Sequence, residues 1–161
     1  GESLLPPFDR EGQPVRPLSL VREGVLENFL YDSYEGRRAG RLSTGHGRGD
    51  ADAPPVLKPG FVEMTSGTET VSALEARAGL ALVVPRFAGR VEMATGVFSG
   101  VVKGGFLLDG GERMPVEEIM IAGNIYDLIR SIEAVSAERL NIFGSALLPW
   151  VLADGVQVTA G

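Results

Sequence analysis

The sequence predicts an α+β fold rich in strand, with mainly antiparallel sheets built from hairpins and two or three short helices packed on them. One domain over residues 1–161 accommodates it. Three observations lead there. Twenty-two glycines and ten prolines cut the 161 residues into short apolar runs, a pattern of many turns and strands and not of a helical bundle. The stretch Phe87 to Val135 reads as strand, strand, hairpin, strand and then one helix, with Asp109-Gly110-Gly111 as the hairpin turn. Glycine supplies the positive φ that such a turn demands. At Gly123-Asn124 the apolar period then changes from two to about 3.6.

In chain order, residues 1 to 17 are polar and punctuated by proline, which predicts a surface lead-in. Pro17 to Leu30 place the Arg22-Glu23-Gly24 turn between apolar pairs, a second hairpin. Tyr31 to Gly40 predict a short helix closed by Gly40, the usual left-handed terminal residue, although Gly36 inside it works against helix. Arg41 to Pro59 form the longest loop. Phe61 to Met64 predict a strand. Ser66 with Glu69 matches a capping box opening a helix whose Val71, Leu74 and Ala78 face inward. Leu80 to Val84 predict a buried strand ended by Pro85. In the central stretch, Val97 to Val102, Phe106 to Leu108 and Met114 to Ile121 are strands. Asn124 caps a helix carrying Ile125, Leu128, Ile129, Ile132 and Val135 on one face. Ala137 to Asn141 read as a polar connector. Ala146 to Leu152 and Val156 to Thr159 are the last strands, the first at a sheet edge because Pro149 lacks an amide hydrogen.

Composition limits the function. A chain of this size buries about 70% of the surface its unfolded form exposes, so a core needs no disulfide scaffold. There is no cysteine, which excludes disulfides and thiolate chemistry and fits a reducing cytoplasm. Twenty-one acidic against fifteen basic side chains give a net charge of −6, which opposes direct contact with nucleic acid. The nearest approach to a basic patch is Arg37, Arg38, Arg41 and Arg48. No run approaches the roughly 18 apolar residues of a membrane-spanning helix, so no membrane contact is expected.

The segments ATGVFSG, GFLLDGGERMPVEEIMIAGNIYDLIRSIEAV and LLPWVLADGVQVTAG, in that order, resemble the C-terminal domain of the TldD/PmbA family, proteins described as candidate modulators of DNA gyrase. FDREGQPVRPLSLVREGVLENFLYDSYEGRRAGRLSTGH extends the resemblance upstream, over nearly the whole chain. The resemblance implies an N-terminal α/β region outside this chain, and a cytoplasmic metallopeptidase complex in which a TldD-like subunit carries zinc. It also implies a cysteine near the C-terminus of the TldD branch. The matching segment here, IFGSALL at Ile142 to Leu148, has none. STGH at Ser43 to His46 looks closer to PmbA, also called TldE, the branch without a metal site. The expectation is therefore a non-catalytic subunit that helps to bind or enclose extended peptides beside a TldD-like partner, with homo-oligomers possible as family members commonly dimerise. Two alternatives stay open: a regulatory gyrase-binding protein without proteolysis, and a TldD-like zinc peptidase whose metal motif lies upstream.

For the site, His46 is the sole histidine. A zinc site assembles three or four ligands, and no H-E-x-x-H run is present, so neither a metal nor a cofactor is assigned to this chain. His46 reads most simply as a loop histidine open to solvent. The sharper reading lines a peptide cleft with Ser43, Thr44, Gly45 and His46. No catalytic residue is assigned. Ser99, His46 and Asp109 lack a G-x-S-x-G elbow, and Glu117 and Glu118, as strand neighbours, point to opposite faces. Gly104-Gly105 and Gly110-Gly111 lack the lysine of a phosphate loop and read as turns.

Overall fold

A computed structural model describes residues 6–50 and 52–160; residues 1–5 of the predicted lead-in, Ala51 and Gly161 lie outside them. The fold is α+β and strand-rich, in several mostly antiparallel sheets with three short helices. Two compact units divide it: unit 1 is Gly1–Glu63 with Ile142–Leu147, and unit 2 is Met64–Asn141 with Leu148–Gly161.

In unit 1, β1 (Val21–Arg22) and β2 (Val25–Leu26) pair around Glu23 and Gly24. Both turn residues have positive φ, 50° and 78°, the geometry that matches the right-handed twist of a hairpin. Helix α1 (Ser33–Ala39) starts on Asp32, whose carboxylate accepts the Glu35 amide at 2.7 Å, and ends on left-handed Gly40. Gly36, expected to weaken this helix, is required by packing: a Cβ there would lie 2.9 Å from the Arg41 carbonyl oxygen. The predicted long loop holds a small hairpin, β3 (Gly47–Arg48) against β4 (Val56–Leu57). Strand β5 (Val62–Glu63) pairs in parallel with Ala146 and Leu147.

Unit 2 holds the apolar core. Helix α2 (Val71–Ala78) precedes β6 (Leu80–Val83), β7 (Phe87–Val91), β8 (Val97–Val102), β9 (Phe106–Asp109), β10 (Glu112–Pro115) and β11 (Ile119–Asn124). Helix α3 (Ile125–Arg130), β12 (Ile132–Ile142), β13 (Ala146–Ala153) and β14 (Gln157–Ala160) follow. One sheet runs β10-β9-β6, another β14-β11-β8-β7. Phe98, Val102 and Ile121 are buried where Leu82, Val84, Phe87 and Leu128 converge. The Phe87 and Phe98 rings meet edge to face at 5.9 Å, a geometry favoured by the ring quadrupoles. Gly89 and Gly100 sit opposite each other across β7 and β8, and the Phe87 ring occupies the space where either Cβ would stand.

Several boundaries differ from expectation for identifiable reasons. Thr70, not Ser66, caps α2, accepting the Ala73 amide at 3.2 Å. Residues 67–69 are instead extended along β12: Gly67 donates to the Ser136 carbonyl and Ala137 donates to the Glu69 carbonyl. Leu80, expected buried, is 68% exposed. The run Met114 to Ile121 splits between the two sheets, with Glu118 at φ 54° in the break, so Glu117 and Glu118 are turn residues. Helix α3 stops at Arg130, where the Ser131 hydroxyl and amide take up its last carbonyls. Ile132 and Val135 therefore belong to β12, which also absorbs the predicted connector Ala137 to Asn141. Sheet pairing there outweighs a helical periodicity. Strand β13, expected at a sheet edge because of Pro149, lies instead between β12 and β5; Pro149 is tolerated there because it lies beyond Leu147, the last partner of β5, so the missing amide hydrogen costs nothing on that side.

Ser136 is fully enclosed. Its hydroxyl donates to the Glu138 carbonyl at 2.6 Å and accepts the Trp150 amide at 2.8 Å. Ser136→Ala leaves that amide without an acceptor and is expected to cost about 1–3 kcal/mol, measured as a lower denaturant midpoint with an unchanged slope.

Candidate functional site

Among the described residues, no large apolar side chain of unit 1 is fully buried; its buried side chains are Asp9, Asp32 and His46. Hydrogen bonding organises it. Asp9 sits at the start of the Asp9-Arg10-Glu11-Gly12 turn. One of its oxygens accepts the amides of Glu11 and Gln13, both at 2.9 Å, and the other accepts the Gly47 amide at 3.0 Å. Glu11 extends the link to α1, accepting the Ser33 amide at 2.8 Å and the Ser33 hydroxyl at 2.9 Å.

The Ser43–His46 segment is fixed from the other side by Tyr31. The Thr44 hydroxyl accepts the Tyr31 amide at 2.9 Å, and both the Thr44 amide and its hydroxyl bond the Tyr31 carbonyl. Gly45 has φ 75°, and a Cβ there would run into the Pro14 carbonyl oxygen. His46 is 8% exposed, with Nδ1 3.0 Å from the Thr44 hydroxyl and its carbonyl accepting the Lys58 amide. The solvent-open histidine expected from the sequence is thus a buried one. Its environment is the paired β3–β4 hairpin and not a free loop.

A cleft of about 720 Å³ opens beside this framework, lined by Gln13, Pro14, Arg16, Leu18, Arg37 and Arg41, with Leu42, Ser43, Thr44, Ser33 and Pro17 completing the wall. Ser43 and Thr44 of the predicted peptide-binding set line it; Gly45 and His46 do not. The four arginines of the predicted basic patch disperse. Arg37 and Arg41 face the cleft, Arg38 pairs with Glu35 and covers the Tyr34 ring, and one terminal nitrogen of Arg48 is enclosed without a hydrogen-bond partner. Sequence reasoning missed Asp9, Glu11 and Arg16. The Asp-x-Glu-Gly turn pattern was the available signal for the first two.

Among the described residues no three His, Cys, Asp or Glu side chains come together as a metal site, and the His46 nitrogen nearest a partner is engaged by a hydroxyl. Ser99 and Asp109 lie in β8 and β9 of unit 2, and His46 in unit 1.

Comparison with known proteins gives a consistent result. Residues 2–160 match the family model described as PmbA/TldA metallopeptidase C-terminal domain. The chain is 35% identical over 154 residues to a metalloprotease PmbA homolog of Haemophilus influenzae, covering 92% of this chain and 32% of that protein. It is 34% identical over 151 residues to metalloprotease PmbA of Escherichia coli O157:H7, covering 89% of this chain and 31% of that one. A crystal structure of a candidate modulator of a DNA gyrase from Thermotoga maritima superposes with a TM-score of 0.84 at 28% identity, over 96% of this chain and 35% of that chain. The chain thus spans about a third of the length of the relatives it matches.

Proposed function

The chain belongs to the PmbA/TldA metallopeptidase C-terminal domain family, the TldD/PmbA family of the sequence reading, and from that premise we propose that it is part of a non-catalytic, PmbA-like subunit of a cytoplasmic peptidase complex. The family match over residues 2–160 carries this reading. In it, zinc and hydrolysis belong to a TldD-like partner, and this chain contributes a wall that holds extended peptide. No helix among the described residues is long and apolar enough to cross a membrane.

Two features of unit 1 support the role. Ser43 and Thr44 line a cleft whose volume lies in the range of ligand sites, and the bonds of their hydroxyls to the Tyr31 backbone fix that wall. Val21, Val25, Leu26 and Phe29 of the β1–β2 region are all more than half exposed, and exposed apolar groups of this kind suit burial against another subunit.

Purified alone, the full-length protein is expected to bind no stoichiometric zinc and to cleave no peptide; mixing with a TldD-like subunit is expected to give cleavage. Stoichiometric zinc in the isolated protein would overturn the assignment and favour the TldD-like alternative. A stable complex with gyrase and none with a peptidase subunit would favour the regulatory one. For the cleft, Ser43→Ala is expected to weaken binding of an unstructured peptide about 2- to 10-fold, the loss of one hydrogen bond, and to lower the melting temperature slightly, because the Ser43 hydroxyl also bonds the Tyr31 carbonyl and the Gly45 amide. Unchanged affinity in a fluorescence titration would remove Ser43 from the contact.

A further inference from the structure

The cleft of unit 1 carries a charge pattern that peptide backbone recognition does not need. Arg16, Arg37 and Arg41 line it and no aspartate or glutamate does, although the chain as a whole has a net charge of −6. Five arginines outside the cleft are in ion pairs: Arg22 with Glu27, Arg38 with Glu35, Arg77 with Glu69, Arg113 with Glu75 and Arg130 with Asp127. Among the described residues, none of the three cleft arginines is in an ion pair. Arg37 donates to the uncharged Ser33 carbonyl at 3.1 Å. Glu11 reaches the cleft residue Ser33, whose amide and hydroxyl both bond one of its oxygens, but Glu11 is in no ion pair with the three arginines.

We propose that this cleft binds a carboxylate carried by the peptide, either its C-terminal carboxylate or an aspartate or glutamate side chain. The inference rests on the peptide-binding reading above and gives that site a selectivity. A guanidinium presents a planar fork of donors that matches the two oxygens of a carboxylate, which a lysine or a hydroxyl cannot do. The three arginines come from two separate segments, Arg16 from the lead-in and Arg37 and Arg41 from α1 and the residues after it. The Asp9 and Glu11 hydrogen bonds join those segments, so the fold itself brings the charges to one wall. Leu18 and Leu42 flank them and suit the aliphatic part of a bound residue. A cleft focuses the field of the charges that line it, so cations there attract an anion more strongly than the same charges on a flat surface.

The test is a fluorescence titration of the full-length protein with labelled peptides of about ten residues. One peptide is acidic with a free C-terminus, one has every Asp and Glu replaced by Asn and Gln, and one is acidic but C-terminally amidated. The acidic peptide with a free terminus is expected to bind about tenfold more tightly than at least one of the others at low salt, and the gap to shrink at about 0.5 M salt. Loss of the gap on amidation assigns the terminal carboxylate; its loss on Asn/Gln replacement assigns the side chains. Arg37→Gln with Arg41→Gln is expected to abolish the gap and Arg16→Gln alone to narrow it, whereas Arg86→Gln, an exposed residue of unit 2, is expected to preserve it. Equal affinities for the three peptides would overturn carboxylate selectivity and leave peptide binding intact. Absence of binding by all three would overturn the peptide reading and this one with it. Tighter binding of a single-stranded oligonucleotide of equal charge would overturn it in favour of phosphate recognition.

Discussion

Asp9→Ala is expected to destabilise unit 1 by about 3–5 kcal/mol while leaving the core strands of unit 2 protected. The Gly47 amide that Asp9 accepts is buried, so removing the carboxylate strands it at close to its full desolvation cost. The Glu11 and Gln13 amides are partly buried, and water recovers some of what they lose. Asp9→Asn separates these contributions. Its single carbonyl oxygen can still accept Glu11 and Gln13, which share one oxygen of the native carboxylate, but its NH₂ group faces the Gly47 amide, donor against donor. It is expected to lose roughly half as much. Hydrogen exchange resolves the outcome: protection should fall at Glu11, Gln13 and Gly47 and persist at Val97–Val102 and Ile119–Asn124. Uniform loss across both units, or none, would contradict a local role for Asp9. Peptide binding should fall with unit 1, since the same carboxylate fixes the Arg16 segment against the residues following α1.

Gly45→Ala is expected to cost about 3 kcal/mol or more. Holding an L-residue at φ 75° costs about 1–2 kcal/mol, and the added methyl meets the Pro14 carbonyl and lies 3.2 Å from the Val15 Cα. Both neighbours are backbone, so relief requires a shift of chain and not a change of rotamer; overpacking of this kind adds about 1–3 kcal/mol. Gly40→Ala provides the comparison. Gly40 has a similar φ of 65°, yet nothing lies within 4 Å of its Cβ position, so it should show the conformational cost alone. A thermal melt of the two variants measures the difference, and equal losses would mean that Pro14 does not press on Gly45.

What was legible in the sequence was what local chemistry encodes. Asp109-Gly110-Gly111, Glu23-Gly24, Gly40 and Asn124 each specify a turn or cap through φ or a single side-chain hydrogen bond, and each stands where predicted. The misassigned elements depend on partners distant in sequence. Ser66 and Glu69 have the spacing of a helix start, but Ser136 draws that segment into an extended pairing. Ile132 and Val135 fit the helical period and fall on opposite faces of a strand, yet pairing with the neighbouring strand decides. At the site, Ser43 and Thr44 lie on the cleft, whereas the exposed histidine expected at position 46 is buried. The residue that organises the wall, Asp9, lay in a segment read as a lead-in. Its bond to Gly47 spans 38 residues and leaves no periodic trace.

Unit 1 is interrupted between Glu63 and Ile142 by most of unit 2, and its β5 strand finds its parallel neighbour only at Ala146 and Leu147. During synthesis β5 therefore waits for Ala146 and Leu147 before it gains its parallel neighbour, and unit 2 waits for residues 148 onward. Among the described residues that earlier segment has no large buried apolar side chain to collapse around, so it stays an unfinished framework until the returning strand arrives. Closure across so long an interval slows completion of unit 1, whereas the residues of the arginine-lined wall and the bonds that join them all lie between Asp9 and Gly47.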